Sequence, residues 1–197
     1  MAGWSTHQGL AVALPMANID TDQLIPARFM STPRKDGYGR FLLHDQRQAP
    51  GHPLDAHPGA SVLVTRANFG CGSSREAAVY ALVDAGFRTV IAPSFGDIFA
   101  ANAVNNGLLP ATVHPDDAEA LIASLGARAS PATIDLMAGT VRINGLCALF
   151  DLPAPWRTKL ANGWDDIDLT ASHSARIAAF AAARNAAHPW VRPHDDA

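Results

Sequence analysis

One stretch constrains the fold more than any other: Ala67-Asn68-Phe69-Gly70-Cys71-Gly72-Ser73-Ser74-Arg75-Glu76-Ala77-Ala78. An apolar, β-branched segment at 61–66 runs into it and reads as a buried strand. Beyond it, Ala77, Ala78, Ala81, Leu82 and Ala85 recur at helical spacing until Gly86. The pattern is strand, glycine turn, helix. Gly70 and Gly72 permit backbone angles that other residues resist and let a ligand approach the main chain. Either Ser73 or Ser74 is expected to cap the helix. A helix start with free N–H groups, two hydroxyls and a guanidinium suits a carboxylate or a phosphate. A plain capped helix with Ser and Glu in its first turn would carry the same letters.

The flanking segments extend the pattern. Residues 88–92 form a second strand, stopped by Pro93, and Ser94 with Asp97 stands at capping-box spacing for a helix running to about Asn106-Gly107. Strand, helix, strand, helix predicts a βαβ unit with parallel strands. A short strand at 108–113 and a helix opened by Asp116 and Asp117 follow. Then the character changes. Residues 132–136, 140–144 and 146–150 read as antiparallel strands, with Cys147 expected to be buried and inert. Helices are expected near 156–161, ended by Asn162-Gly163, and near 171–180, with a tail fraying from about Arg184.

Before the central stretch, residues 9–14 read as a first strand ended by Pro15. Asn18-Ile19-Asp20-Thr21-Asp22-Gln23 then makes a polar turn. Its acids either serve the turn's own backbone, or Asp20 or Asp22 faces a site. Residues 28–40 are basic, with Arg28, Arg34, Lys35 and Arg40, and have no period. This is a solvated loop or a lid over an anionic substrate. A short helix is expected at 41–45. Residues 46–60 read as a connecting loop with His52 and His57 as surface histidines, since neither has a partner at metal-ligand spacing.

Composition removes several function classes. The 197 residues fit one domain. A hydrophobic share of 48% is enough to build a core. A net charge of −3 carries no basic footprint for nucleic acid. Cys71 and Cys147 cannot by themselves hold a four-cysteine cluster, and no metal site is expected on this chain. No apolar run approaches the roughly 20 residues of a membrane span. Residues 1–7 lack a basic stretch followed by an apolar run, so no secretion signal is expected and a cytoplasmic setting is. There is no phosphate loop, no third glycine for a dinucleotide fingerprint, and no Gly-x-Ser-x-Gly elbow around Ser73.

Three segments, in order, resemble a known pattern: Asn18-Ile19-Asp20-Thr21-Asp22-Gln23-Leu24-Ile25-Pro26, then Asn68-Phe69-Gly70-Cys71-Gly72-Ser73-Ser74-Arg75-Glu76, then Val90-Ile91-Ala92-Pro93-Ser94-Phe95-Gly96-Asp97-Ile98-Phe99 with Asn102 and Asn106-Gly107-Leu108-Leu109-Pro110. Together they resemble the small subunits of 3-isopropylmalate dehydratase, the swivelling domain of the aconitase superfamily. Asn162-Gly163-Trp164-Asp165-Asp166-Ile167-Asp168-Leu169-Thr170 is similar to a motif of the bacterial members. The resemblance covers nearly the whole chain. It implies an α/β swivelling β/β/α domain with a mixed sheet flanked by helices. That single domain would span 1–183, with a substrate loop and connecting region at 28–60, C-terminal helices at 153–183, and 184–197 as the tail.

The resemblance also implies a function: removal and re-addition of water on a hydroxy-diacid. Ser73 would be the base. Ser74 and Arg75 would hold a substrate carboxylate, Asp22 would lie in the active site, and Arg34 would be a second carboxylate contact. The [4Fe–4S] cluster that acts as Lewis acid would sit on a separate large subunit, in a heterodimer or heterotetramer. The chain departs from the pattern at Ala77, where His is common, and at Gln46, Trp164 and Asp168. The departures leave Ser73, Ser74, Arg75 and Asp22 in place and open the choice of diacid. The alternatives are a dehydratase of methylmalate/citraconate or homoaconitate type, a non-catalytic anion-binding module, and a serine hydrolase.

Overall fold

The computed structural model describes residues 2–48 and 51–191. Seven strands close on themselves in the order β1-β2-β3-β4-β7-β6-β5. Strands β1 (Thr6–Leu14), β2 (Ala60–Thr65), β3 (Thr89–Ala92) and β4 (Leu109–Val113) are parallel neighbours. Strands β5 (Ser130–Asp135), β6 (Thr140–Ile143) and β7 (Leu146–Asp151) form an antiparallel meander. Two antiparallel seams close the ring, β4 with β7 and β1 with β5. The expected mixed sheet is therefore present, and its two edges are sealed against each other. Closure removes the unpaired strand edges that would otherwise recruit other chains.

Eight helices are described: α1 (Thr21–Leu24), α2 (Pro53–Ala56), α3 (Glu76–Asp84), α4 (Asp97–Asn105), α5 (Pro115–Leu125), α6 (Ala154–Asn162), α7 (Asp166–Ala171) and α8 (Ser174–Ala187). The parallel strands are buried on both faces. Val62 and Val64 enter one core, which draws on all seven strands and on α5, through Ala118, Leu121 and Leu125. Leu63 enters the other core, where Ala78, Ala81 and Leu82 of α3 and Phe99 and Ala103 of α4 pack with Leu24, Ile25, Leu42 and Leu43. Two-sided burial is why these strands read as continuous apolar runs rather than alternating ones. None of the helices among the described residues is long and apolar enough to cross a membrane.

Several expectations are corrected. Residues 28–45 contain no α-helix; the segment turns through three single 3-10 turns, Ala27–Phe29, Arg34–Asp36 and Gly39–Phe41, with Leu42 and Leu43 buried in the core. His52 is not on the surface. It is buried, and its Nδ1 accepts from the Leu54 amide to cap α2, inside what read as plain loop. Cys147 is exposed, not buried, because Ala148 and Phe150 take the inward phase of β7. The final helix runs on to Ala187, past Arg184, and is preceded by the separate α7, which Asp165 caps through a capping box with Asp168. The expected tail beyond Val191 lies outside the described residues.

Candidate functional site

The site is built from three loops at the carboxyl ends of the parallel strands β1, β2 and β3. Backbone bonds stitch the loop after β2 between the other two. On one side, the amide of Asn18 donates to the Ala67 carbonyl at 2.9 Å, that of Gly70 to Ile19 at 2.7 Å, and that of Thr21 to Cys71 at 3.0 Å. On the other, the Phe69 amide donates to Ser94 at 3.1 Å and the Gly96 amide to Phe69 at 2.9 Å. Asn18 and Asn68 both adopt positive φ, and the Asn68 amide side chain donates to Asn18 Oδ1 at 2.8 Å. Asparagine tolerates that conformation better than other non-glycine residues.

Gly70 is required by space as well as by its φ of +71°: a Cβ there would sit 2.2 Å from the Phe99 ring. Ser94 does not cap α4. Its Oγ instead accepts from the Asn68 amide at 2.9 Å, and Gly96 becomes the N-cap with no side-chain bond.

Neither Ser73 nor Ser74 caps α3. The N-cap is Arg75, again without a side-chain capping bond; the Ala78 amide donates to the Arg75 carbonyl at 3.1 Å, and the amides of Glu76 and Ala77 stay open to a ligand. Ser73 and Ser74 are exposed, and neither hydroxyl has a hydrogen-bond partner among the described residues. The Ser73 carbonyl accepts from Thr21 Oγ1 at 2.9 Å, which fixes the backbone under the Ser73 side chain.

The two acids of the first polar turn divide the work. Asp20 caps α1, its Oδ1 accepting from the Gln23 amide at 2.7 Å while Gln23 Oε1 accepts from the Asp20 amide at 2.9 Å. Asp22 is left to pair with Arg75 through Nη1.

Ser73 and Arg75 line a cleft of about 210 Å³ with Thr21, Gly70, Cys71 and Gly72, and with Gly96, Asp97, Ile98 and Phe99 from the start of α4. Asp22, Ser73, Ser74 and Arg75 are thus brought together. Arg34 is not. Its guanidinium makes a two-pronged pair with Asp84 at 2.7 and 3.0 Å and lies 4.2 Å from the centre of the Tyr80 ring. Asp84 ends α3, whereas Arg75 begins it, and nine helical residues span about 13 Å. Sequence reading missed Thr21, Ile98 and Phe99. Thr21 could have been found, since it sits between the two acids of the same turn.

A larger hollow of about 540 Å³ adjoins the cleft and shares Asp97 with it, between Pro93, Phe95, Pro110, Asp151 and Trp156. It is lined by carboxylates and no cation, whereas the smaller cleft carries Arg75 and so is the better suited of the two to an anion. No histidine lines that cleft, so Ser73 lacks the base a serine hydrolase uses. Cys71 is half-buried in the turn and Cys147 is exposed on β7. No group of three or more His, Cys, Asp or Glu among the described residues could hold a metal ion. Among the described residues, Cys71 and Cys147 do not by themselves supply the thiolate set of an iron–sulfur cluster.

What the arrangement can do follows from its charges. A carboxylate placed over the start of α3 meets open N–H groups and the Nη2 and Nε donors of Arg75 that Asp22 leaves free. The same positive field lowers the cost of a proton leaving Ser73 Oγ.

Comparison with known proteins agrees with the fold. The aconitase C-terminal domain model matches residues 1–116. The 3-isopropylmalate dehydratase small subunit of Shouchella clausii is 43% identical over 182 residues, covering 88% of this chain and 92% of that protein. The protein of the same name from Parafrankia sp. is 43% identical over 187 residues, covering 93% and 96%. The solved structure of 3-isopropylmalate dehydratase from Methanocaldococcus jannaschii superposes with a TM-score of 0.67 at 25% identity, covering 88% of this chain and 98% of that one. The chain belongs to the aconitase C-terminal domain family, among the small subunits of 3-isopropylmalate dehydratase.

Proposed function

We propose that this chain is the small subunit of a hydro-lyase that converts 2-isopropylmalate into 3-isopropylmalate in leucine biosynthesis, in the cytoplasm. The observation that carries the reading is the exposed Ser73-Ser74-Arg75 turn at an uncapped helix start, paired to Asp22 and opening on a cleft. The identity of about two residues in five with proteins bearing that name supports the substrate.

The reaction removes a proton from the carbon next to a carboxylate and a hydroxide from its neighbour, leaving an alkene. Water then returns with the two positions exchanged. In this reading Ser73 Oγ takes the proton on one side of the alkene and returns it on the other. Ser74 and Arg75 hold the carboxylate whose α-carbon loses the proton, and Asp22 sets the direction of the Arg75 guanidinium. Each helix-start interaction is worth only about 0.3–1 kcal/mol when exposed. Covering the cleft with a second chain would exclude water and strengthen every term. That second chain is the large subunit, and its iron–sulfur cluster supplies the Lewis acid for the departing hydroxide.

The test is reconstitution. The isolated chain is expected to be inactive, and addition of a cluster-loaded large subunit is expected to restore turnover of both isopropylmalates. Ser73→Ala is expected to lower kcat by about 10²–10⁴-fold with the complex intact. Normal turnover of that variant would remove Ser73 as the base. Preferential turnover of methylmalate or homoaconitate would reassign the substrate.

A further inference from the structure

Helix α4 holds the serine turn at both of its ends. At its start, the Phe99 ring lies against Gly70 with no room for another atom. At its finish stands Asn106, whose Nδ2 donates to Glu76 Oε1 at 2.9 Å and to the Asn102 carbonyl at 2.9 Å. The bond to its own helix orients the amide, so the remaining hydrogen is aimed at Glu76. Glu76 is the first helical residue of α3 and follows Arg75 directly.

The start of α3 is held on its α1 side by the Arg75–Asp22 pair and by the bond from Thr21 to the Ser73 carbonyl. Its N-cap makes no side-chain capping bond, and Arg75 is turned away toward Asp22. On α3 itself, Tyr80 lies one turn on from Glu76. The bond from Asn106 is the side-chain hydrogen bond that joins Glu76, the first helical residue, to α4. Its donor is neutral, so it secures the carboxylate without placing a further charge beside the anion site. The donor and the acceptor belong to the two helices whose N-termini line the cleft.

We infer that Asn106 is a positioning residue: through Glu76 it fixes the first turn of α3, and with it the direction in which Ser73 Oγ and Arg75 meet the substrate. Asn106 touches no substrate itself. Misplacing a reacting group by a fraction of its contact distance is costly in rate, although the fold survives.

The activity arm of the test rests on the hydro-lyase reading; the exchange arm does not. In the complex with the large subunit, Asn106→Asp sets two carboxylates against each other and is expected to lower kcat by about tenfold or more. Glu76→Gln alone is expected to stay within about threefold of the parent, because a glutamine Oε1 still accepts from Asn106. Combining Asn106→Asp with Glu76→Gln rebuilds the bond between residues 76 and 106 with donor and acceptor exchanged, though not the bond to the Asn102 carbonyl, and part of the lost kcat is expected to return. A general loss of packing would not be repaired by a second change.

In the isolated chain, hydrogen exchange at the amides of Ala78, Val79 and Tyr80 is expected to quicken about tenfold in Asn106→Asp and to slow again in the double variant. If Asn106→Asp fails to fold, Asn106→Ala takes its place, with a loss of severalfold in kcat and faster exchange at the same amides. Wild-type kcat and wild-type exchange in the single variant, or a double variant no better than Asn106→Asp, would overturn the inference. A parent complex that turns over neither isopropylmalate would sink the hydro-lyase reading, and the exchange comparison would still decide the role of Asn106.

Discussion

Asp22 and Arg75 meet across 53 residues of chain, and the pair ties the first turn of α1 to the N-cap of α3. Arg75 is the more buried partner, with a side chain 21% exposed against 55% for Asp22. Only Nη1 is engaged, so the rest of the guanidinium fork is aimed but unspent. Asp22→Asn removes the charge that aims it. Because the pair is largely wet, stability in denaturant titration is expected to change by less than about 1 kcal/mol. In the reconstituted complex kcat/KM is expected to fall about tenfold or more, as the carboxylate clamp loses its direction. Parental kcat/KM in Asp22→Asn would separate this pair from substrate binding.

The glycines of the turn differ in what they tolerate. Gly70 and Gly72 both have positive φ, but a Cβ on Gly72 has nothing nearer than 3.5 Å, whereas one on Gly70 would enter the Phe99 ring. Gly72→Ala is expected to cost about 1–2 kcal/mol, the price of a left-handed conformation for an L-residue. Gly70→Ala adds overpacking of about 1–3 kcal/mol to that strain. Urea unfolding of the two variants is expected to show the second well below the first; equal midpoints would contradict the contact with Phe99.

Where the signal was local, the sequence disclosed the architecture. The glycine turn between a β-branched run and an alanine-spaced helix was legible because turn chemistry and periodicity act within ten residues. The serines and Arg75 were legible locally as groups suited to an anion, but that Asp22 joins them was legible only through family resemblance, since Asp22 and Arg75 are joined by tertiary folding. Closure of the sheet was hidden, because the pairing of β1 with β5 joins segments more than a hundred residues apart and leaves no local mark. Capping was misread for the same kind of reason. Ser94 has the chemistry to cap α4, but a loop amide from Asn68 claims its hydroxyl first. Leu146 to Phe150 is apolar at every step, so the phase that turns Cys147 outward could not be read from alternation. Arg34 looked free for a substrate, and Asp84 holds it at the far end of α3.

Burial of His52 makes stability depend on pH. Loss of hydration holds its pKa below the ordinary histidine value, with Asp55 acting in the opposite sense and Arg47 in the same one. The unfolded chain therefore binds a proton before the folded chain does. The neutral-state advantage is complete above about pH 6.5, the unfolded value. It is lost as pH falls from there through the lower folded value. His7 is shifted the same way, by burial and then by Arg88, and adds to the slope. His52→Asn keeps a side-chain acceptor for the Leu54 amide and removes the proton uptake. Its unfolding free energy is expected to fall less steeply with acid between about pH 7 and 5. An unchanged slope would mean that His52 is solvated in the folded protein.

Lys159 is the buried cation that docks the C-terminal helices. Its side chain is 3% exposed, and its Nζ donates to Asn105 Oδ1 at 2.5 Å and to Asp166 Oδ1 at 2.7 Å, joining α6 to the end of α4 and the start of α7. Asp166 is 71% exposed, so the two halves of the pair are unequal. Asp166→Asn strands an ammonium away from water and is expected to cost about 1–3 kcal/mol. Lys159→Met fills the same space with an apolar chain and leaves a carboxylate that water can solvate, so its cost is expected to be about 1 kcal/mol or less. Acid reproduces the first change. The hydrogen bonds from Lys159 and then Asn105 hold the Asp166 carboxyl below its ordinary pKa. Their contribution is present above about pH 4, the unfolded value, and is lost as pH falls through the lower folded one. Denaturant midpoints for both variants at pH 7 and at pH 3 test the asymmetry: Asp166→Asn is expected to be the weaker at pH 7, and its deficit against the parent is expected to shrink at pH 3. A Lys159→Met variant less stable than Asp166→Asn would show that the ammonium's bonds, rather than its desolvation, dominate this joint.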